Sequence, residues 1–171
     1  MIMMPLLVFI FIAIQLLFVA YIDFKTTKIS NMWVFINSFF FLVLTFVYPQ
    51  IYFFKLSVLM FSLAFLFVGF GLFVMNVMGG GDSKYLASIY LLVPQPFQET
   101  VFLYLLYTTV IVGSSLLLFN AIKNFDNIIL LGRIGDISGI KKIFGKKFTY
   151  APVIFIAWMW FGWQNRMMLG Y

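Results

Sequence analysis

Long apolar segments, separated by short polar ones, follow each other along the whole chain. Five of them are candidates for crossing a membrane, which takes about 20 helical residues. They cover residues 5–22, 32–48, 56–78, 100–119 and 150–163. The last segment is short, but Tyr150, Trp158, Trp160 and Trp163 bracket it as an interfacial aromatic belt would. The pattern therefore predicts transmembrane α-helices and no sheet.

A sixth apolar stretch, SKYLASIYLLV, lies between Asp82 and Pro94. As a helix it would be roughly 16 Å long, too short to cross the bilayer alone. The distribution of basic residues decides how it is placed. If it crosses, nine lysines and arginines share one side and only Lys55 and Arg166 lie opposite. The nine are Lys25, Lys28, Lys84, Lys123, Arg133, Lys141, Lys142, Lys146 and Lys147.

Such an excess is the positive-inside signal of a cytoplasmic face, and it nearly vanishes if the sixth stretch does not cross. We therefore expect an all-α membrane protein, a bundle of six transmembrane helices with both termini outside. The short stretch is then the fourth span, either packed behind its neighbours or in a thinned bilayer.

The composition agrees with this architecture, since 64% of the residues are hydrophobic and only 9% are charged. The 171 residues leave no stretch for a separate soluble domain, so 1–171 is expected to be one transmembrane domain. Residues 120–149 form a basic cytoplasmic loop within it, with isoleucines every third residue from Ile134 to Ile143. This loop either fixes topology and touches anionic lipid or contacts substrate. No basic patch interleaved with aromatics suggests nucleic acid.

The chain contains neither cysteine nor histidine. Disulfides, thiolate or imidazole metal sites and nucleophile–histidine mechanisms are therefore excluded. We expect no metal and no cofactor, so the chemistry must rest on carboxylates, hydroxyls, lysines or the backbone.

Of the five carboxylates, Glu99, Asp126 and Asp136 are expected to be ordinary solvated charges. Asp23 and Asp82 lie on different spans at the cytoplasmic membrane boundary, where a carboxylate is costly and tends to be functional. Two such groups at one depth can share a proton, so that one acts as base on a water and the other as acid. Two simpler explanations remain open: an ion pair between Asp23 and Lys25 or Lys28, and a purely structural role of Asp82 as the cap of the next helix.

Gly79, Gly80 and Gly81 precede Asp82 in the stretch MGGGDSK. Glycine permits positive φ and close approach of another backbone, so the run is expected to shape the surroundings of Asp82. A plain tight turn would explain it equally well.

These residues resemble known motifs. Gly79, Gly81 and Asp82 match the GxGD motif of membrane aspartic proteases. DFKTTKISN, with Asp23 and Asn31, looks like the D-x5-I-x-N signature of type IV prepilin peptidases.

Lys84 and the stretch TYAPVIFIA are also similar to the prepilin peptidase family, while Ser30 stands where its members commonly have Pro and a Gly usual in the last span is absent at Ala157. The larger members carry a cytoplasmic domain with two CxxC pairs. Because this chain has no cysteine, it resembles the short members of tight-adherence or archaeal preflagellin type.

The resemblance implies an aspartic endopeptidase in the cytoplasmic membrane of a prokaryote, with Asp23 and Asp82 as catalytic residues. Gly79, Gly80, Gly81, Lys84 and Asn31 would bind substrate or shape the site. The implied substrate is a pilin-like precursor whose basic leader is removed at the cytoplasmic face without N-methylation. The alternative is a non-enzymatic membrane protein in which the two aspartates handle ions or protons. The oligomeric state and the particular precursor do not follow from the sequence.

Overall fold

The structure is a computed structural model that describes residues 4–26, 28–74, 79–136, 139 and 150–169. This part of the chain is helical, without strands. Its elements are α1 (Leu6–Thr26), α2 (Asn31–Val47), α3 (Leu56–Val74), α4 (Gly80–Leu92), α5 (Gln95–Lys123), α6 (Phe125–Ile134), α7 (Ala151–Gln164) and a 3₁₀ turn (Arg166–Leu169). The predicted all-α class is confirmed.

Helix α4 lies in the core and packs against α2 and α3. Its 13 residues are buried almost without interruption from Ser83 to Leu92. Small residues allow α3 to come close: a side chain at Gly69 would collide with Ser83, and Ser62 donates a 2.7 Å hydrogen bond to the carbonyl of Ala87. The expectation that the short fourth segment packs behind its neighbours is therefore confirmed.

Helix α7 packs against α1 on one side and α5 on the other. The rings of Phe9 and Trp158 stack with centroids 5.2 Å apart, and the Trp158 indole donates to the Phe9 carbonyl at 3.2 Å. Gly162 leaves room for the Phe9 ring, which any larger residue would displace. Aromatic packing thus fixes the position at which α7 meets α1.

A chain of buried polar side chains joins α1, α2 and α4. Gln15 donates to Asn37 at 2.6 Å, and Asn37 donates to the hydroxyl of Ser88 at 2.9 Å. Hydrogen bonds between helices stabilise bundles in lipid, where an unpaired polar group is costly. The network ties the helix that carries Asp23 to the helix that carries Asp82.

The outside of the bundle is apolar, as expected for contact with lipid. Many large apolar side chains are exposed, among them Phe46 at 86% and Phe67 at 77%. A water-soluble protein rarely exposes so large an apolar surface. Among the described residues, α1, α3 and α5 are long and apolar enough to span a membrane, and α2 is a shorter apolar helix. The chain is a multi-pass membrane protein; six crossings and outside termini stay predictions.

Two helices occupy part of the predicted loop 120–149. Helix α5 continues from the predicted span into residues 120–123, and α6 occupies 125–134, so the predicted loop begins as helix. Apolar side chains of α6, such as Phe125 and Ile134, are exposed, as in helices at the membrane interface. The isoleucines at 137, 140 and 143 lie outside the described residues.

Candidate active site

Asp23 lies in the last turn of α1 and is only 3% exposed. Its Oδ2 accepts a 3.2 Å hydrogen bond from the backbone nitrogen of Ala151, the first residue of α7. A helix N-terminus presents free N–H groups and a partial positive charge, which favour a carboxylate. Lys25 instead contacts the hydroxyl of Tyr21 at 2.5 Å, so the explanation of Asp23 as its ion-pair partner is not supported.

Asp82 is half-buried in the first turn of α4. Its Oδ2 accepts a 3.2 Å hydrogen bond from the backbone nitrogen of Gly79. The residue at the N-cap position is Gly79, with φ −71° and ψ 140°. The interpretation of Asp82 as the N-cap is therefore wrong in position, although its carboxylate does satisfy a free N–H at this helix end.

The two carboxyl groups come from different helices and lie close enough for their charges to repel each other. Each accepts a hydrogen bond from a backbone N–H at the beginning of a helix: Asp23 from α7 and Asp82 from α4. The site therefore joins α1, α4 and α7, and the structure brings together the two aspartates that the sequence singled out.

The three glycines have different neighbours. A Cβ at Gly79 would lie 2.8 Å from Oδ2 of Asp82, and a Cβ at Gly81 would lie 3.0 Å from the backbone oxygen of Ile29. A Cβ at Gly80 would meet only the ring of Phe73, at 3.3 Å. The first and third glycines of the GxGD motif thus face the carboxylate and a backbone, whereas the middle one faces a side chain.

The close backbone approach expected at the glycine run is confirmed at Gly81. The positive φ that glycine also permits is not used at this run: Gly79 has φ −71°, and the only described glycine with a positive φ is Gly135. Gly80 and Gly81 already belong to α4, so their backbone is helical and needs no left-handed conformation. What glycine provides here is space.

The other predicted site residues lie at the margin of the pair. Asn31 is the exposed first residue of α2, two positions after the Ile29 backbone that meets Gly81. Ser30 caps α2 by accepting from the nitrogen of Met32 at 3.2 Å, with φ −70°, an angle that proline also adopts. Lys84 is exposed and lies in the second turn of α4. Within the described residues, the hydrogen bonds of the two aspartates come from Gly79 and Ala151, and not from Asn31 or Lys84.

The sequence predicted Tyr150, which precedes α7, as part of an interfacial aromatic belt and not as a site residue. Its hydroxyl lies 3.1 Å from Oγ1 of Thr109 on α5, and its side chain is near enough to Asp82 to interact electrostatically. Residue 151 therefore contacts Asp23, and residue 150 lies within electrostatic range of Asp82. The only signal in the sequence was the TYAPVIFIA stretch, because the residues near Tyr150 lie 41 and 68 positions away in the chain.

Two carboxyls that interact can share a proton, which is the basis of general acid–base chemistry by such a pair. Within the described ranges, no cluster of three or more acidic side chains offers a metal site.

The comparison with curated proteins gave no match, and neither did the comparison with solved structures. The model of the type IV leader peptidase family matches residues 10–120, which is more than half of the chain and includes both aspartates and all three glycines. The chain therefore belongs to the type IV leader peptidase family.

Proposed function

We propose that the protein is a membrane-embedded aspartic endopeptidase in which Asp23 and Asp82 act as one catalytic pair. The observation that carries this proposal is their arrangement: two carboxyl groups from separate helices, close enough to interact, each held by a backbone N–H. Membership of a leader peptidase family supplies the reaction class.

The pair hydrolyses a peptide bond when it holds one proton. The ionised carboxylate removes a proton from a water as the water oxygen bonds to the scissile carbonyl carbon. The protonated carboxyl donates its proton to the carbonyl oxygen, which gives a tetrahedral diol. The carboxyl that took the water proton then gives it to the nitrogen. As the C–N bond breaks, a diol hydroxyl returns a proton to the other carboxylate, so an amine and a new carboxyl leave and the pair again holds one proton.

The backbone bonds at Asp23 and Asp82 serve this chemistry by fixing orientation. Each N–H occupies one lone pair of a carboxylate oxygen, so the other oxygen atoms are left for the water and the substrate. Gly79 and Gly81 contribute by leaving space, because a Cβ at either position would press on Asp82 or on the chain at Ile29.

The proposed substrate is a pilin-like precursor with a short basic leader followed by an apolar helix. Such a helix stays in the lipid while its polar leader extends to the cytoplasmic face, which is where the charge pattern places both aspartates. Cleavage there removes the leader without drawing apolar residues into water. The proposal includes a location in the cytoplasmic membrane of a prokaryote.

We also propose that cleavage is not followed by N-methylation. The chain has no cysteine and in this respect resembles the short members of the family. Mass spectrometry of the mature product tests this point: an unmodified N-terminal amine is expected, and an added methyl group would contradict it.

The test of the catalytic pair is cleavage of a purified precursor by membranes that contain single variants. Asp23→Asn and Asp82→Asn should each lower the rate by at least about a thousandfold, because either change removes one partner of the proton exchange. The double variant should be no worse than either single, since the two act as a unit. The matched control is Asp126→Asn, an exposed aspartate on α6, which should cleave normally.

A chelator should leave cleavage unchanged. Normal cleavage by either single variant, inserted at wild-type levels, would end the peptidase assignment of these residues. The ion- or proton-handling function would then become the better account of two charged groups at this depth.

A further inference from the structure

A groove of about 260 Å³ lies between α3 and the first turns of α4. Its walls are Leu66, Phe70 and Phe73 from α3 and Gly80, Ser83 and Lys84 from α4. We name it the α3–α4 groove. Gly80, Ser83 and Lys84 belong to the same turns of α4 as Asp82, so the groove lies at the depth of the catalytic pair, on the face of α4 that meets α3.

Helix geometry explains the apolar wall. Residues 66, 70 and 73 are spaced so that their side chains lie on one face of α3. These side chains are 41%, 65% and 50% exposed. Beside them, α3 and α4 touch where Gly69 meets Ser83, which closes the inner side. The α3–α4 groove is therefore open towards the lipid and apolar along its α3 wall.

A substrate helix that enters from the lipid must approach Asp82 from the side of the bundle. The groove offers an apolar surface on that side, at the depth of the pair. Its volume is below the roughly 300–1,000 Å³ of small-molecule sites, so it fits one or two large side chains of a longer partner.

Among the described residues that line the groove, Lys84 is the one with a charge, and it is exposed. A cation at this position repels a basic peptide and tolerates an apolar one. The groove therefore discriminates between the two parts of a precursor that has a basic leader and an apolar helix.

We propose that the α3–α4 groove receives the apolar side chains that follow the scissile bond of the precursor, and that Lys84 keeps the basic leader out of it. The inference rests on the proposed function and assigns the side of the site on which the mature part of the substrate lies. The leader then extends away from α3.

Disulfide cross-linking tests this placement directly, because the chain has no cysteine of its own. Phe70→Cys is combined with Asp82→Asn, so that the pilin-like precursor of the cleavage assay stays intact. Precursors carry one cysteine each, either in the leader or among the first residues of the mature part. We expect cross-links to the mature part and none to the leader.

The matched control is Phe18→Cys on α1, which is also apolar and 56% exposed but lies outside the groove. It should not cross-link to either precursor. Cross-links from Phe70→Cys to leader cysteines, or equal cross-linking from Phe18→Cys, would overturn the proposal.

A kinetic test uses two adjacent residues of α3. Leu66→Trp narrows the groove and should raise KM roughly tenfold, the effect of a lost apolar contact, with kcat retained. Phe67→Trp makes a similar change on a side chain that does not line the groove and should leave KM unchanged. Equal KM values, together with no cross-link at position 70, would show that lipid fills the groove.

These results separate the two proposals. If Asp23→Asn and Asp82→Asn abolish cleavage but Phe70→Cys does not cross-link to the mature part, the groove assignment fails and the peptidase assignment stands. If the aspartate variants cleave normally, the proposed function itself fails, whatever the cross-links show.

Discussion

The backbone nitrogen of Ala151 lies 3.2 Å from Oδ2 of Asp23, although 128 positions separate the two residues in the chain. This hydrogen bond attaches the beginning of α7 to the end of α1. The same carboxylate that we assign to catalysis therefore also holds two helices together, and the two roles can be separated by substitution.

Asp23→Asn keeps an oxygen that accepts from Ala151, so its thermal unfolding in detergent should match that of the wild type while cleavage is lost. Asp23→Ala removes the acceptor and leaves a buried N–H unpaired, which should destabilise the fold by about 1–3 kcal/mol. Equal stability of the two variants would show that the Ala151 bond contributes nothing to holding α7.

The glycines should differ in their tolerance of a side chain. Gly81→Val places a branched side chain where a Cβ alone would already lie 3.0 Å from the Ile29 carbonyl oxygen, so cleavage should be lost. Gly80→Ala meets only the ring of Phe73, which can turn aside, and should retain most activity. Cleavage assays on membranes with matched protein levels give the comparison; an active Gly81→Val enzyme would contradict the observed approach.

Gly79→Ala should act on the carboxylate itself. The added methyl group would lie 2.8 Å from Oδ2 of Asp82, so the carboxylate must move, and kcat should fall while KM changes little. Steady-state kinetics with the purified precursor measure both constants. A rise in KM alone would mean that Gly79 affects substrate binding and not the position of Asp82.

The rate of cleavage should depend on pH as a bell-shaped curve. It rises as the pair loses its first proton, because one carboxylate must be ionised to activate the water. It falls as the second proton leaves, because no acid then remains for the carbonyl oxygen. The two limbs belong to the pair and not to one residue. A single rising limb, without a fall, would exclude a mechanism that requires a protonated carboxyl.

The orientation of α5 tests the predicted topology. Glu99 lies near its beginning and Lys123 is its last residue, a separation of about 36 Å along a helix. In intact cells, Glu99→Cys should react with an impermeant thiol reagent added outside, and Lys123→Cys should react only after the membrane is opened. Labelling in the reverse pattern would place the catalytic pair on the outer side.

Much of the fold follows from the sequence because apolar length and periodicity are local properties. The apolar segments at 5–22, 32–48 and 56–78 became α1, α2 and α3 with shifted ends. The burial of α4 also followed, since SKYLASIYLLV has too few residues to cross alone and hardly any charge. The extension of α5 to Lys123 could not be predicted from the sequence, because its last turn carries polar residues that are equally typical of a loop.

Only part of the candidate site could be predicted from the sequence. Asp23 and Asp82 stood out in the sequence because carboxylates are rare in this chain. Gly81 stood out because a glycine allows another backbone to approach closely. Tyr150 and Ala151 could not be found in this way: a tyrosine and an alanine at the start of an apolar segment are ordinary, and only the packing of α7 against α1 gives them meaning.

The burial of α4 has a consequence for how the enzyme prepares its reaction. Asp82 is in the first turn of a helix that is enclosed by its neighbours, and a close-packed interior does not deform gradually. In the mechanism that we propose, the position of this carboxylate is thus preorganised when the protein folds, which would remove a reorganisation cost from the transition state.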